Sequence, residues 1–239
     1  MSGGDNEVDD LPWHVFLNIS KLEEFKMKVL AINGSPRKTK NTAVLLAHAL
    51  KGAESVGAET EMIHLIDGNF KGCISCFACK LKDGPSYGKC ATKDDLTPIL
   101  EKSMKSDVII IGSPIYFADV TFLTRAYIER LFFMNLFYGD KRTVFKGKID
   151  MRYIYTMGIP EKQIDDFGYR HLFQTHKIFS NILNGHSEYM ISADTYQFED
   201  YSKYDAPMFD EEYKAEVRRL QFPRDCKRAY ELGSFLKKT

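Results

Sequence analysis

Neither sign of charge predominates in this chain: 33 Lys and Arg stand against 33 Asp and Glu. Without a net basic field there is no global attraction for nucleic acid or anionic lipid, which points the function toward small molecules. No run approaches the roughly 18–20 apolar residues that span a bilayer, so no membrane insertion is expected. The N-terminus is acidic at Asp5, Glu7, Asp9 and Asp10 where a secretory leader is basic, and the apolar stretch after it is broken by His14, Asn18 and Lys21. A cytoplasmic location is the expectation. Cysteine is scarce, five in 239 residues, and three fall within the run Cys73–Cys79. That distribution is unlike a disulfide scaffold and suits thiol or metal chemistry in a reducing compartment. Internal repeats and low-complexity tracts are absent.

Aromatics, by contrast, are plentiful: 17 Phe and 13 Tyr. They fill cores and interfaces and also suit a planar ligand. Residues 1–26 read as an extension, with an apolar arm at Leu11–Phe25, and 27–239 as one domain. Within the domain, apolar runs at 27–33, 60–65, 107–112, 149–156 and 187–193 alternate with helical patterns at 41–56, 95–105, 120–137, 168–184 and 210–236. Five strands separated by helices imply right-handed crossovers and a parallel α/β sheet covered on both faces. With strand order 2-1-3-4-5, the loops after the first, third and fourth strands meet at one site, outside the carboxyl ends of the strands.

The first of these loops carries the strongest signal. The strand Val29-Leu30-Ala31-Ile32-Asn33 breaks into Gly34-Ser35-Pro36-Arg37-Lys38-Thr39-Lys40 and enters a helix at Asn41-Thr42. A helix start offers free N–H groups and a positive dipole end, Ser35, Thr39 and Thr42 offer hydroxyls, Asn41 an amide, and Arg37 a cationic fork. This is a cradle for a phosphate monoester, the alternative being an ordinary polar turn. It lacks the Gly-Lys-Ser/Thr ending of a triphosphate loop and the three spaced glycines of a dinucleotide fingerprint. After the third strand comes Gly112-Ser113-Pro114-Ile115-Tyr116-Phe117-Ala118-Asp119, a poor solvated loop but a good edge for a flat heterocycle. A phosphate cradle beside such an edge describes flavin mononucleotide (FMN).

The cysteine segment is Gly72-Cys73-Ile74-Ser75-Cys76-Phe77-Ala78-Cys79, followed by Cys90 after an excursion containing Gly84, Pro85 and Gly88. Three thiolates spaced C-x2-C-x2-C can wrap one face of a cubane, with a distant fourth completing a [4Fe–4S] set. Ordinary packing or reactive thiols, and a zinc site, are the competing readings. Asp94 and Asp95 precede the periodic Leu96, Ile99, Leu100 and Met104 and read as helix caps. The six histidines show no metal spacing, and Cys226 reads as a small buried residue.

Taken together, Gly34-Ser35-Pro36-Arg37 with Asn41-Thr42, the loop Gly112-Ser113-Pro114-Ile115-Tyr116, and the cysteine segment ending in Lys93-Asp94-Asp95 resemble the NAD(P)H-dependent FMN reductase and iron-sulfur flavoprotein group of the flavodoxin-like superfamily. The resemblance covers roughly residues 27 to 190. It implies a flavodoxin-like three-layer sandwich, a five-stranded parallel sheet with a cysteine-containing insert, and bound FMN. It also implies a homodimer or homotetramer, with electrons passing from NAD(P)H or a reduced carrier to a quinone, flavin or other acceptor. Ser35, Arg37, Asn41 and Thr42 match the phosphate loop of that group, and Pro114, Ile115, Tyr116 and Phe117 the loop along the isoalloxazine. The third loop, with Thr156 and Gly158, departs from the glycine-rich turn of relatives. No side chain is required as a catalytic base, since the chemistry is flavin-centred. A non-catalytic flavin carrier is the rival reading; flavodoxins are strongly acidic, and this chain is neutral. For Phe122–Tyr138 the near-continuous apolar pattern predicts a helix with more apolar surface than one sheet can cover, hence a subunit interface.

Overall fold

The computed structural model describes residues 26–235. The apolar arm at Leu11–Phe25 lies outside the described residues. Strands β1 (Lys28–Asn33), β2 (Glu59–His64), β3 (Val108–Tyr116), β4 (Asp119–Val120), β5 (Ile149–Thr156) and β6 (Asn184–Ser192) form one sheet. Helices α1 (Asn41–Glu54), α2 (Leu96–Ser103), α3 (Phe122–Asn135), α4 (Tyr169–Phe179), α5 (Glu211–Leu220) and α6 (Phe222–Ser234) surround it.

The sheet has six strands in the order β2-β1-β3-β5-β6, with β4 paired to β3, which corrects the expected five strands in the order 2-1-3-4-5. The added strand arises because β3 continues through Tyr116 and turns back at Phe117-Ala118, so that Asp119 and Val120 pair antiparallel with Tyr116 and Ile115. All other pairings are parallel.

Burial on both faces explains the continuous apolar runs. Successive side chains in a strand point to opposite faces, and the core divides accordingly. Leu30, Ile32, Ile109 and Ile111 pack with α2, α3 and α4 in one cluster. Val29, Ala31, Val108 and Ile110 pack with α1 and α6 in the other. Helices α1 and α6 touch at backbone distance: a Cβ on Gly233 would stand 1.8 Å from the Ala49 carbonyl oxygen.

The helical pattern at 210–236 resolves into α5 and α6, broken at Gln221, because Pro223 sits in the first turn of α6 and cannot donate to the preceding turn. The pattern at 168–184 ends early in a short 3-10 turn, and β6 begins at Asn184. Helix α3 also differs from expectation. Leu123, Tyr127, Ile128, Leu131 and Met134 are buried in this chain's own core, and Phe133 meets Phe77 of the cysteine segment edge-on at 5.6 Å. The cysteine segment covers a second side of the helix, which leaves Phe122, Phe137 and Tyr138 exposed.

Behind β5 lies an aromatic layer in which Tyr155 stacks on Phe173 at 4.3 Å and its hydroxyl sits 2.8 Å from His176 Nδ1. His176 is 3 % exposed, and burial, aided by the Arg125 charge, depresses its pKa from 6.5 to about 4. The unfolded chain therefore binds a proton between these values that the native fold refuses. Stability is fully present above pH 6.5 and falls as pH drops toward 4, by about 3 kcal/mol. Urea midpoints at pH 7 and pH 4 should show this fall, and His176→Gln should remove that part of it; an unchanged pH dependence in the variant would exclude His176 as its source.

Candidate functional site

The phosphate loop is built by side chains that hold its own backbone. Asn33 Oδ1 accepts the N–H of Ser35 at 3.0 Å, and Ser35 Oγ accepts that of Arg37 at 3.1 Å. These Asx- and Ser-type turns curl the loop toward α1. Thr121 Oγ1 donates to the Gly34 carbonyl at 2.6 Å, and the Gly34 N–H to that of Gly112 at 2.8 Å, joining the first loop to the second. Gly34 has no room for a side chain, since a Cβ would lie 1.8 Å from Thr124 Oγ1. Helix α1 begins at Asn41 with no side-chain cap and no acid in its first turn. Its first N–H groups are therefore left for a ligand, with the dipole's positive end behind them. Ser35, Asn41 and Thr42 are buried beside this opening, Thr42 Oγ1 lies 2.8 Å from Thr156 Oγ1, and Thr39 and Arg37 are exposed on the turn.

The second loop is a tight hairpin. Phe117 and Ala118 have φ of 50° and 64°, a left-handed pair that non-glycine residues adopt at a cost. The turn drives Phe117 fully into solvent beside half-exposed Tyr116, while Pro114 and Ile115 stay buried at the end of β3. An exposed aromatic pair held by a strained turn is not explained by packing within the chain; it offers a flat apolar edge.

The third loop is covered. Gln197 approaches Gly158 so closely that a Cβ there would stand 1.8 Å from its amide nitrogen, and buried Lys214, ion-paired with Asp194, donates to the Gly158 carbonyl at 2.7 Å. The segment from Tyr196 lies across the phosphate loop. Arg37 donates to the Gln197 carbonyl at 2.9 Å, Asn41 to that of Tyr196 at 2.9 Å, and Lys40 pairs with Glu199. Arg218 of α5 donates to Asn41 Oδ1 at 2.9 Å while lying over the Phe222 ring.

A second site lies along α3. Cys73, Cys76, Cys79 and Cys90 all line one small space of about 20 Å³, partly open to solvent and walled by Arg130 and Phe133. Ser75 and Phe77, both with left-handed φ (53° and 57°), coil the chain tightly between the first three cysteines. The excursion through Gly84 returns: the Gly88 N–H donates to the Cys79 carbonyl at 3.0 Å, and Arg130 Nε donates to Cys90 Sγ at 3.3 Å. Burial pushes the Cys79 thiol up, against the nearby Lys80 charge, and the neighbouring Cys90 and Cys73 push it further. Among the described residues no three Cys, His or carboxylate side chains converge on a single metal ion.

Residues 27–186, more than half of the chain, match the NADPH-dependent FMN reductase family. The chain belongs to this family. Within the family its sequence is similar to an iron-sulfur flavoprotein of Archaeoglobus fulgidus, 45 % identical over 104 residues that make up 44 % of this chain and 48 % of that protein. It is likewise similar to one of Methanocaldococcus jannaschii, 41 % identical over 104 residues, 44 % of this chain and 51 % of that protein. The chain thus spans about half the length of the curated relatives it matches. Among solved structures, an NAD(P)H:quinone oxidoreductase from Methanothermobacter marburgensis superimposes with a TM-score of 0.65 at 14 % identity, over 90 % of this chain and 98 % of that one. An azoreductase from Bacillus anthracis gives 0.61 at 11 % identity, over 88 % and 100 %. At such identities these likenesses establish the fold.

Seen as a member of the FMN reductase family, the chain brings Ser35, Asn41 and Thr42 together with Thr156, and sets the Pro114–Phe117 hairpin beside them through Thr121 and Gly34. Asp94 accepts the Leu96 N–H at 3.1 Å at the start of α2 and also pairs with Arg130, whereas Asp95, at the N-cap position, makes no side-chain cap bond and instead accepts the Asn69 N–H at 2.8 Å. Sequence reasoning missed Asn33, Thr121, Gln197, Arg218 and Arg130. Asn before Gly-Ser is a readable turn signal, whereas the others act on partners remote in the chain.

Proposed function

We propose that this protein is an FMN-dependent oxidoreductase that passes electrons from NAD(P)H or a reduced carrier to a quinone, flavin or other acceptor. The observation that carries the reading is the uncapped start of α1, with buried Ser35 and Thr42 at its mouth, set beside the exposed Tyr116–Phe117 hairpin. In this reading Ser35, Arg37, Thr39, Asn41 and Thr42 hold the FMN phosphate, while Pro114, Ile115, Tyr116 and Phe117 flank the ring, with Thr156 and Gly158 opposite. When bound, the flavin supplies hydride and single-electron chemistry. The residues of the chain bind, orient and exclude water. Arg37 donates one guanidinium N–H to the Gln197 carbonyl, which leaves its other donors for a phosphate.

Arg37→Ala removes one charge-assisted contact, which should weaken FMN binding about 10- to 150-fold. Fluorescence titration of the apoprotein measures this, and unchanged affinity would place the phosphate elsewhere. Steady-state turnover of NADH or NADPH with a quinone separates a reductase from a non-catalytic flavin carrier.

The four cysteines lining one space support a [4Fe–4S] cluster on Cys73, Cys76, Cys79 and Cys90, in keeping with the names of the archaeal relatives. We also propose a cytoplasmic homodimer or homotetramer, because Phe122, Phe137 and Tyr138 remain exposed around α3. Light scattering on the FMN-loaded protein should exceed the monomer mass of 27.5 kDa; a monodisperse monomer at micromolar concentration would overturn this.

A further inference from the structure

Helix α3 connects three places on the molecule. At its start, Thr121 is bonded to Gly34 of the phosphate loop. Farther along, Arg130 and Phe133 wall the cysteine space. At its end, Met134 and Asn135 wall a separate cavity of about 750 Å³, bounded by the segment leading to Cys90, the end of α2 and the chain at Val144–Lys146. Helix α3 is roughly 21 Å long at 1.5 Å per residue, so this cavity is well removed from the flavin loops.

The cavity has the make-up of a small-molecule site. Its volume falls in the usual range of roughly 300–1,000 Å³. Leu100, Met134 and Phe145 give it an apolar lining, and Lys89, Lys105 and Lys146 stand against the single carboxylate Glu101. Among the described residues Lys38, Lys40, Lys102, Lys203, Lys214 and Lys227 form ion pairs, whereas Lys89, Lys105 and Lys146 do not. Three cations without carboxylate partners around an apolar hollow complement a molecule that is apolar at one end and anionic at the other.

We propose that this cavity binds an amphipathic aromatic anion, its ring system against the apolar lining and its sulfonate, carboxylate or phosphate among the three lysines. Cys90 and Met134 line both this cavity and the cysteine space. A bound ring therefore lies across one cysteine from the cluster; that consequence rests on the cluster reading above, and the binding itself does not.

The test is calorimetric titration of anthraquinone sulfonate into the anaerobically purified, FMN-loaded full chain, with uncharged hydroxymethyl anthraquinone as the control. The anion should bind more tightly than the control. Reversing two charges in Lys89→Glu/Lys146→Glu should weaken it by about tenfold or more, and Glu101→Lys should tighten it. Phe117→Ala, at the flavin hairpin, should leave this binding in place. Absence of binding, indifference to the charge reversals, or loss of binding in Phe117→Ala would overturn the proposal. Iron and sulfide assays on the same material test the cluster separately, so a negative result there leaves the anion site standing.

Discussion

Cys73→Ser, Cys76→Ser, Cys79→Ser and Cys90→Ser are each expected to strip iron and acid-labile sulfide from anaerobically purified protein while FMN stays bound. The expectation of so complete an effect rests on geometry. All four thiols border one space, three of them on a loop coiled by left-handed residues, and the fourth held there by Arg130. A four-iron cubane needs four thiolates on its corners, so removing one ligand leaves a corner open to solvent and oxidation. Flavin retention follows because the phosphate loop follows β1 whereas the cysteines lie between β2 and α2. The visible spectrum with iron and sulfide analysis of the unsubstituted protein is the reference. Anaerobic material with no iron and four titratable thiols in this segment would eliminate the cluster and leave a simpler FMN reductase.

Arg130→Met should cost about 3 kcal/mol or more of stability, because it leaves the Asp94 carboxylate with its main counter-charge gone in a largely buried site. Arg130 is 1 % exposed, yet every part of its guanidinium is engaged. It donates to both Asp94 oxygens, at 2.8 and 2.6 Å, to the carbonyls of Lys71 and Thr92, and to Cys90. Burial pushes the Asp94 carboxyl up, but Arg130 and the N–H groups of Lys71 and Leu96 outweigh it and hold the group below the usual carboxylate range. The ion pair therefore fastens both flanks of the cysteine segment to α3. A urea midpoint measures the loss. Arg130→Met/Asp94→Leu should recover much of it, since removing both charges is cheaper than orphaning one. A double variant as unstable as the single one would show that the arginine acts through its other bonds.

Some of this was written locally in the chain. The continuous apolar runs of β1 and β3 signal strands buried on both faces, the Gly34–Thr42 run signals a strand breaking into an anion-binding helix start, and the C-x2-C-x2-C spacing signals a thiol cluster. Each of these is carried by neighbours in sequence, through backbone conformation or side-chain period. Pro223, which divides α5 from α6, is a break of the same local kind, yet the single helical pattern at 210–236 ran across it.

What the tertiary structure decided are the meetings between distant segments. Arg37 meets the Gln197 carbonyl 160 positions away, Asn41 meets Arg218 across 177, and Cys90 is held by Arg130 across 40. The hairpin at Phe117–Ala118 turned an expected five-stranded sheet into one of six strands, and the cysteine segment covered a face of α3 that its sequence left apolar. Periodicity reports that a side chain must be buried, but many segments could bury it. Which one does is settled only when the sheet order and the helix crossings place all the surfaces at once.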